Sequence, residues 1–103
     1  MWTIAADGFA AMGSEPRLRV LKALVRAGEA GLTVGEIQER TGLPPSTLAH
    51  HLRALSDGGV VEQEKAGRTT ITRASFDRLK ELAEFILSEC CLDAETRKVA
   101  NDG

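Results

Sequence analysis

The sequence contains few aromatic residues and no long apolar segment. Its 103 residues include three phenylalanines, one tryptophan and no tyrosine, so the core must consist mainly of Leu, Val, Ile and Ala side chains. No apolar run approaches the length that spans a membrane, and the N-terminus lacks a signal-peptide pattern. We therefore expect one cytoplasmic domain with a modest core, whose thiols stay reduced.

Catalytic constellations are also missing from the sequence. It contains no nucleophile–base set, no phosphate-binding loop and no cluster of metal-ligating residues. The only two cysteines are adjacent, so they do not have the Cys-X-X-Cys spacing of dithiol oxidoreductases. These absences predict a protein that is not an enzyme and that requires no cofactor for folding.

The sequence has no overall excess of positive charge, but its charges are unevenly distributed. Its 13 basic and 15 acidic residues give a formal net charge of -2. Residues 1–43 are balanced, residues 44–73 carry one net positive charge, and residues 74–103 carry three net negative charges. The acidity therefore lies at the C-terminal end, which gives weak support to the binding of a polyanion by the central region.

The central segment, residues 33–55, predicts two short helices joined by a tight turn. Thr33 and Glu36 have the spacing of a capping box, in which each residue satisfies a backbone donor of the other. Gly42 lies where a helix commonly ends in a left-handed residue, and Pro44 cannot continue that helix. The second helix has an apolar stripe with i, i+4 and i+7 spacing, formed by Leu48, Leu52 and Leu55. This pattern is typical of a helix-turn-helix motif.

The opposite face of the second motif helix is polar. It carries side chains that can contact phosphates or base edges, namely Ser46, Thr47, His50 and Arg53. His51 borders the buried leucine stripe, which favours a structural role, whereas His50 is rotated about 100° away from it. We therefore predict that this face binds double-stranded DNA.

Two further helices are predicted before the motif. Residues 1–12 have helical spacing of apolar side chains, through Ile4, Ala5, Phe9 and Met12. Ser14 is a good cap for a helix that stops near Gly28, with a core stripe formed by Leu18, Leu21, Leu24 and Val25. The basic residues of this helix are interpreted as a solvated face, comprising Arg17, Arg19, Lys22 and Arg26.

A β-hairpin and a last helix are predicted after the motif. Residues 60–66 and 68–73 are β-prone and flank Gly67, which places Lys65 and Arg68 near a hairpin tip, within reach of phosphates or a narrow minor groove. A hairpin directly after a helix-turn-helix is a wing. Ser75 is expected to cap a helix with a broad apolar face, comprising Phe76, Leu79, Leu82, Ala83, Phe85, Ile86, Leu87 and Cys90.

So broad an apolar face exceeds what one small domain needs, and a homodimer built on the first and last helices would bury it. The predicted fold is mainly α with a small β-hairpin, a winged helix-turn-helix in the order α-α-α-α-β-β-α. Residues 1–91 would form the DNA-binding and dimerisation domain, and residues 92–103 a flexible C-terminal tail.

The sequence resembles the ArsR/SmtB family of small bacterial winged-helix repressors over about residues 8–91. The resemblance is carried by residues 13–24, 32–37, 41–43 and 46–55 and by the Gly67-Arg68 pair. It implies a homodimer that binds operator DNA and releases it when an inducer binds. Positions that are often polar in relatives are here Pro44, Pro45 and Ala49, so direct base readout would rest on fewer groups.

Two inducer sites suggested by the resemblance are absent from this sequence. The cysteines of the family's arsenic site fall at Thr33 and Gly35, and the zinc-type site needs histidines that residues 75–91 lack. The remaining candidate is the pair Cys90 and Cys91, because two thiolates suit a soft centre and do not complete a four-ligand zinc site. This pair predicts a trivalent arsenic or antimony species as inducer.

Several alternatives remain open at this level. Inorganic arsenite ordinarily takes three thiolates, so two thiols favour a methylated or aryl arsenical unless the second subunit or glutathione supplies a third sulfur. The cysteines are also compatible with burial as small apolar residues, or with redox sensing through a strained vicinal disulfide. A winged helix used only for protein interaction is a further alternative.

Overall fold

The computed structural model describes residues 1–94, of which residues 1–87 form five α-helices, a short 3₁₀-helix and three β-strands. In chain order these are α1 (Trp2–Met12), α2 (Glu15–Ala27), the 3₁₀-helix (Gly28–Ala30), β1 (Leu32–Thr33), α3 (Val34–Thr41), α4 (Pro45–Asp57), β2 (Val61–Ala66), β3 (Thr69–Ala74) and α5 (Phe76–Leu87). The predicted mainly α, winged helix-turn-helix fold is confirmed. Of the predicted tail, residues 92–94 are helical, and residues 95–103 lie outside the described residues.

The helix-turn-helix forms because its local capping interactions agree with the sequence pattern. The Glu36 N–H donates to Thr33 Oγ1 at 3.2 Å, and the Thr33 N–H donates to Glu36 Oε1 at 2.9 Å, which completes the capping box. Gly42 ends α3 with a φ of 72°, a left-handed conformation that favours glycine. The Thr41 hydroxyl donates to the Ile37 carbonyl at 2.8 Å, and this bond stabilises the last turn of α3.

The wing is larger than the predicted hairpin, because a third strand joins it. The strand order is β1-β3-β2, both pairs being antiparallel, with Leu32 opposite Thr72 and Val61 opposite Ala74. Ala66 pairs with Thr69, so the hairpin loop consists of two residues, and Gly67 supplies the positive φ of 67° at the first of them. Two residues are too few for β1 to produce a recognisable alternation in the sequence.

The core lies where α2, α3, α4 and the base of the sheet meet. It consists of buried aliphatic residues, namely Val20, Leu21, Leu24, Leu32, Ile37, Leu48, Leu52, Leu55, Val60, Val61, Ala74 and Leu82, together with Ala5 and Ala11. The predicted leucine stripe of α4 is therefore confirmed. Across residues 1–94, no helix combines the length and apolar character that crossing a membrane requires.

The apolar face predicted for α1 is partly wrong, because small residues of that helix are buried in place of large ones. Ala5, Gly8 and Ala11 are buried, whereas Ile4 and Phe9 are exposed. The reason is close helix packing: a Cβ on Gly8 would lie 2.7 Å from Leu82 Cδ1 of α5. Close approach by its neighbours selects the small side chains and leaves the large apolar ones on the outer surface.

Three further expectations are corrected on α2 and α5. On α2, Leu18 and Val25 are exposed, and Val20 occupies the core position instead, because this face of the helix packs against α3 and α4. On α5, Ser75 occupies the N-cap position, but its side chain makes no capping hydrogen bond with any residue of 1–94. The helix ends at Leu87, so the two cysteines lie beyond it.

Candidate nucleic-acid interface

The polar side chains predicted for α4 lie on one solvent-facing surface. Ser46, Thr47, His50 and Arg53 are all exposed, while the three leucines of the same helix are turned into the core. His50 and Arg53 line one shallow surface depression. The exposed surface of α4 therefore carries hydroxyl, imidazole and guanidinium groups suited to contacts with base edges and phosphates.

The start of α4 adds backbone donors that side-chain patterns did not identify. Pro44 is the N-cap and Pro45 the first helical residue, and no side chain among residues 1–94 caps this end. The first N–H groups of a helix have no partner within it, and the helix dipole favours an anion there. In the sequence, the Pro44-Pro45 pair indicates this uncapped helix start, because proline has no side-chain oxygen that could cap a helix.

The wing contributes two cations at its tip. Lys65 and Arg68 are exposed, and within the described chain neither makes an ion pair or a side-chain hydrogen bond. Lower on the wing, Gln63 of β2 lines a groove shared with Arg53 of α4 and Val34 of α3. This groove joins the base of the wing to α4. Because the wing and α4 are adjacent and their basic side chains are exposed, one elongated polyanion could contact both.

Arg73, a third basic residue of the wing, has a structural role. Its Nη1 donates to Glu64 Oε2 at 2.8 Å, and its Nε donates to the Glu29 carbonyl at 3.2 Å. These contacts attach β3 to β2 and to the 3₁₀-helix. Part of the positive charge counted for residues 44–73 is therefore neutralised by contacts within the protein.

The two histidines of α4 have different surroundings, as the sequence predicted. His50 is exposed, whereas His51 is half-buried and its Nδ1 accepts a hydrogen bond from Arg17 Nε at 3.2 Å. Burial, the Arg17 charge and then the His50 charge lower the pKa of His51 from its ordinary value of 6.5. The interpretation of Arg17 as part of a solvated face is wrong, because its guanidinium turns inward and also donates to the Ala11 carbonyl at 3.4 Å.

The two thiols lie close together in the turn that follows α5. Cys90 Sγ and Cys91 Sγ are 3.2 Å apart and both residues are exposed. Cys91 has a φ of 70°, a left-handed conformation that is uncommon for a residue with a side chain. The hydrogen bond with Cys91 raises the pKa of the Cys90 thiol above its ordinary value of 9.0. In residues 1–94, no group of three or more Cys, His, Asp or Glu side chains is arranged to hold a metal ion, so the pair has no third protein ligand there.

An apolar surface extends across α1 and α5. Trp2 is 81% exposed, and its ring meets Phe85 in a T-shaped contact with centroids 5.0 Å apart. Ile86 and Leu87 are 63% and 64% exposed. Together with Ile4 and Phe9, these side chains form what we call the α1–α5 apolar surface.

Comparison with known proteins agrees with this geometry. Residues 12–64 match a family model described as a helix-turn-helix domain. A stretch of 76 residues is 33% identical to the transcriptional activator HlyU of Vibrio cholerae and covers 74% of this chain and 68% of HlyU. A stretch of 66 residues is 30% identical to the uncharacterized HTH-type transcriptional regulator YceK of Bacillus subtilis, covering 64% of this chain and 65% of YceK, slightly less than two thirds of its length.

Solved structures extend the similarity to most of the chain. An ArsR-like transcriptional regulator from Rhodococcus sp. RHA1 has a TM-score of 0.78 and 29% identity, and the match covers 96% of this chain and 90% of the regulator. A possible transcriptional regulator for arsenical resistance has a TM-score of 0.68 and 27% identity, covering 92% and 95%. The homodimeric winged helix-turn-helix domain of Mb0332 from Mycobacterium bovis has a TM-score of 0.68 and 25% identity, covering 86% and 82%.

These similar proteins are described as transcriptional regulators, and the solved structures share the fold of this chain over most of its length. The chain belongs to the ArsR family of DNA-binding winged helix-turn-helix transcriptional regulators.

Proposed function

We propose that the chain forms a homodimeric repressor that binds double-stranded operator DNA and is released by a thiophilic inducer, a trivalent arsenic or antimony species held by Cys90 and Cys91. The observation that carries the inducer assignment is the 3.2 Å separation of two exposed sulfurs. At this distance one soft atom can bond to both sulfurs after a small adjustment of the turn.

For DNA binding, we assign α4 as the recognition helix. Ser46, Thr47 and His50 would face the major groove with Arg53 beside them, and Lys65 and Arg68 would contact the backbone or the minor groove. The assignment is supported by the exposure of all six side chains and by the lack of internal ion pairs at the wing tip in residues 1–94. The uncapped start of α4 adds an anion-binding end to the same helix.

For dimerisation, we assign the α1–α5 apolar surface as the subunit interface. The exposure of three large apolar side chains, Trp2, Ile86 and Leu87, supports this assignment, since such side chains left in solvent mark an interaction site. The homodimeric domain from Mycobacterium bovis has the same fold. In a two-fold dimer, this surface would set the separation of the two recognition helices.

The inducer chemistry proposed for the pair is condensation of two thiols with a trivalent arsenical. With an aryl arsenic oxide, both S–H bonds are broken, two S–As bonds form, and the arsenic-bound oxygen leaves as water with both protons. Neither sulfur nor arsenic changes oxidation state. An aryl or methyl group already occupies one of the three bonding positions, so two protein sulfurs complete the centre.

Release of DNA would follow from the position of the thiols relative to α5. Bridging both sulfurs fixes the turn at residues 88–91, and the fixed turn constrains the end of α5 at the proposed subunit interface. The dimer then favours a spacing that no longer fits two half-sites one DNA turn apart. A loss of about a hundredfold in DNA affinity requires roughly 2.7 kcal/mol of coupling between the two sites.

The test is DNA-binding anisotropy with duplex DNA from the promoter of the protein's own operon, titrated with phenylarsine oxide, arsenite or zinc. The parent should release DNA on addition of phenylarsine oxide, whereas Cys90→Ser and Cys91→Ser should bind DNA but retain it. Glu89→Gln is a matched control, because Glu89 is an exposed residue of the same turn, and this variant should respond like the parent. Arsenical release that persists in the double serine variant would place the sensor elsewhere.

Redox sensing is the second candidate, because the two sulfurs are already in contact. Oxidation would remove both thiol protons and two electrons, which a peroxide would accept, and join the sulfurs in a vicinal disulfide. Such a disulfide is strained, so it ranks below the arsenical. Release of DNA by peroxide and not by phenylarsine oxide would replace the first candidate with this one.

A further inference from the structure

We propose that Arg17 is a positioning residue for DNA binding, which acts through His51 to fix the orientation of the recognition helix α4. Arg17 belongs to α2, and its guanidinium makes two hydrogen bonds to different elements. Nε donates to His51 Nδ1 of α4 at 3.2 Å, and Nη1 donates to the carbonyl of Ala11, in the last turn of α1, at 3.4 Å. One side chain therefore joins α1, α2 and α4.

The contacts of Arg17 are directional rather than ionic. Asp7 and Asp57 line the same surface depression as Arg17, but in the described chain neither forms a salt bridge with it. Both acceptors of the guanidinium are neutral, an imidazole nitrogen and a backbone carbonyl. The planar fork of arginine supplies two donors at a fixed angle, which a lysine ammonium does not reproduce.

The packing around this contact leaves little freedom for the C-terminal half of α4. A Cβ on Gly58 would overlap the Cβ of Ala11, so the end of α4 lies directly against α1. Arg17 adds a second attachment about two turns earlier, at His51. Two attachments along one helix fix its rotation about its own axis, and that rotation determines whether Ser46, Thr47 and His50 face the DNA.

The hydrogen bond from Arg17 requires neutral His51. Because Nδ1 accepts, the ring proton must reside on Nε2. Protonation of Nδ1 removes the acceptor and places a second cation beside the guanidinium. The charged and titratable groups around the contact are Asp7 of α1, Arg17 of α2, and His50 and Asp57 of α4. Acidification should therefore weaken this attachment.

The first test compares Arg17→Lys and Arg17→Met with the parent in a salt-titrated DNA-binding assay on the same promoter duplex. Both variants should bind about tenfold more weakly, since a hydrogen bond to a charged group is lost. The slope of log affinity against log salt should stay that of the parent, because Arg17 makes no phosphate contact. A slope reduced by about one in Arg17→Met would instead assign Arg17 to a phosphate, and parent-like affinity in Arg17→Lys would show that charge alone suffices. Either result overturns the proposal.

The second test uses His51 itself. The Asn side chain offers an acceptor near the position of Nδ1 but does not titrate, so His51→Asn should bind DNA within about twofold of the parent near pH 7.5. The Leu side chain has a similar size but no acceptor, so His51→Leu should lower the affinity for DNA about tenfold. Near pH 5, the parent should lose affinity relative to His51→Asn. Equal pH profiles for parent and His51→Asn, or equal affinities for Asn and Leu variants that melt like the parent, would contradict the proposal.

The inference depends on DNA binding by α4 but not on the inducer or on the dimer. If the parent fails to bind DNA at low salt, the proposed function fails. If the parent binds and the Arg17 variants bind equally well, only the positioning role fails.

Discussion

Gly8 of α1 faces Leu82 of α5 so closely that a Cβ atom on Gly8 would lie 2.7 Å from Leu82 Cδ1. Leu82 is 1% exposed, so its side chain has little room to move away. We therefore expect Gly8→Val to overpack the contact and to lower the free energy of unfolding by about 1–3 kcal/mol.

Ala6→Val is the matched control, because Ala6 is an exposed residue of the same helix. It should lower the free energy of unfolding by only about 0.5 kcal/mol, the difference in helix propensity. Denaturant unfolding of both variants measures the two effects. Equal stabilities would mean that α1 and α5 are not packed as closely as described.

Two glycines of the helix-turn-helix should respond to alanine with opposite signs. Gly42 ends α3 with a φ of 72°, so Gly42→Ala should lower the free energy of unfolding by about 1 kcal/mol, the cost of a left-handed conformation. Gly35 lies inside α3, and a Cβ there would meet only Thr33 Oγ1, at 3.9 Å. Gly35→Ala should therefore raise the free energy of unfolding, by up to about 1 kcal/mol. Thermal unfolding checks both, and effects of the same sign would contradict the helix boundary.

The capping box should make stability depend on pH in the acid range. The hydrogen bond from the Thr33 N–H is the main cause that lowers the pKa of Glu36 from its ordinary value of 4.5. A carboxyl group whose pKa is lowered by folding stabilises the folded state fully at pH values above its pKa in the unfolded state. This stabilisation is lost as the pH falls through its pKa in the folded state. Unfolding measured across this range should depend less on pH in Glu36→Gln than in the parent. Glu39→Gln removes a charge from the same helix and should behave like the parent.

The two parts of the proposed DNA interface should differ in what they contribute. His50→Ala should reduce the preference for the operator over unrelated DNA, because His50 is assigned to base edges. Arg68→Ala should weaken binding to all sequences alike and reduce the salt slope by about one, because Arg68 is assigned to a phosphate. Anisotropy with specific and random duplexes separates the two. Parent-like binding by both variants would mean that the assigned face is wrong, and absence of salt-dependent binding by the parent would favour a protein-interaction module.

The α1–α5 apolar surface should hold two subunits together at micromolar concentration. Ile86 is 63% exposed, so Ile86→Glu should leave each subunit folded but place a charge in the interface and dissociate the dimer. Val25→Glu introduces the same charge at a 43% exposed position of α2 and should remain dimeric. Sedimentation velocity reports the oligomeric state. A parent that is monomeric at micromolar concentration would refute the dimer, and a dimeric Ile86→Glu variant would refute this interface.

The elements that the sequence predicted well depend on local chemistry. The capping box of Thr33 and Glu36, the left-handed Gly42 and the turn glycine Gly67 are all found where their spacing placed them. Each is determined by a few neighbouring residues whose backbone donors or dihedral angles permit few alternatives. The boundaries of the two hairpin strands, β2 and β3, were within one residue for the same reason.

The residues that were placed wrongly depend on long-range packing. Periodicity identified apolar positions of α1 but not how closely α5 approaches the helix, so Phe9 was placed on the apolar face and Gly8 was not. Likewise, the inward turn of Arg17 requires an acceptor 34 residues away, which no local pattern reveals. The positions of Cys90 and Cys91 beyond α5 depended on where that helix ends, and no strong stop signal precedes them.

The contacts proposed with DNA and with the inducer are predictions about function rather than about the fold. The exposure of Ser46, Thr47 and His50 follows from helix periodicity, which places these side chains opposite the leucine stripe. What they contact cannot follow from the fold alone, because function depends on the groups at a site rather than on its scaffold.

Thr33 belongs to two elements at once, as the last residue of β1 and the N-cap of α3. The sheet therefore continues into the motif with no residue between them that could act as a joint. A bend of the wing base relative to α3 would break either the pairing of Thr33 with Ile71 or the capping box. When the wing base and the motif meet a duplex, we expect them to behave as one rigid body, so the curvature and groove width of the DNA must adapt to the protein. The deformability of a DNA sequence then becomes part of the specificity, even at base pairs that no side chain contacts.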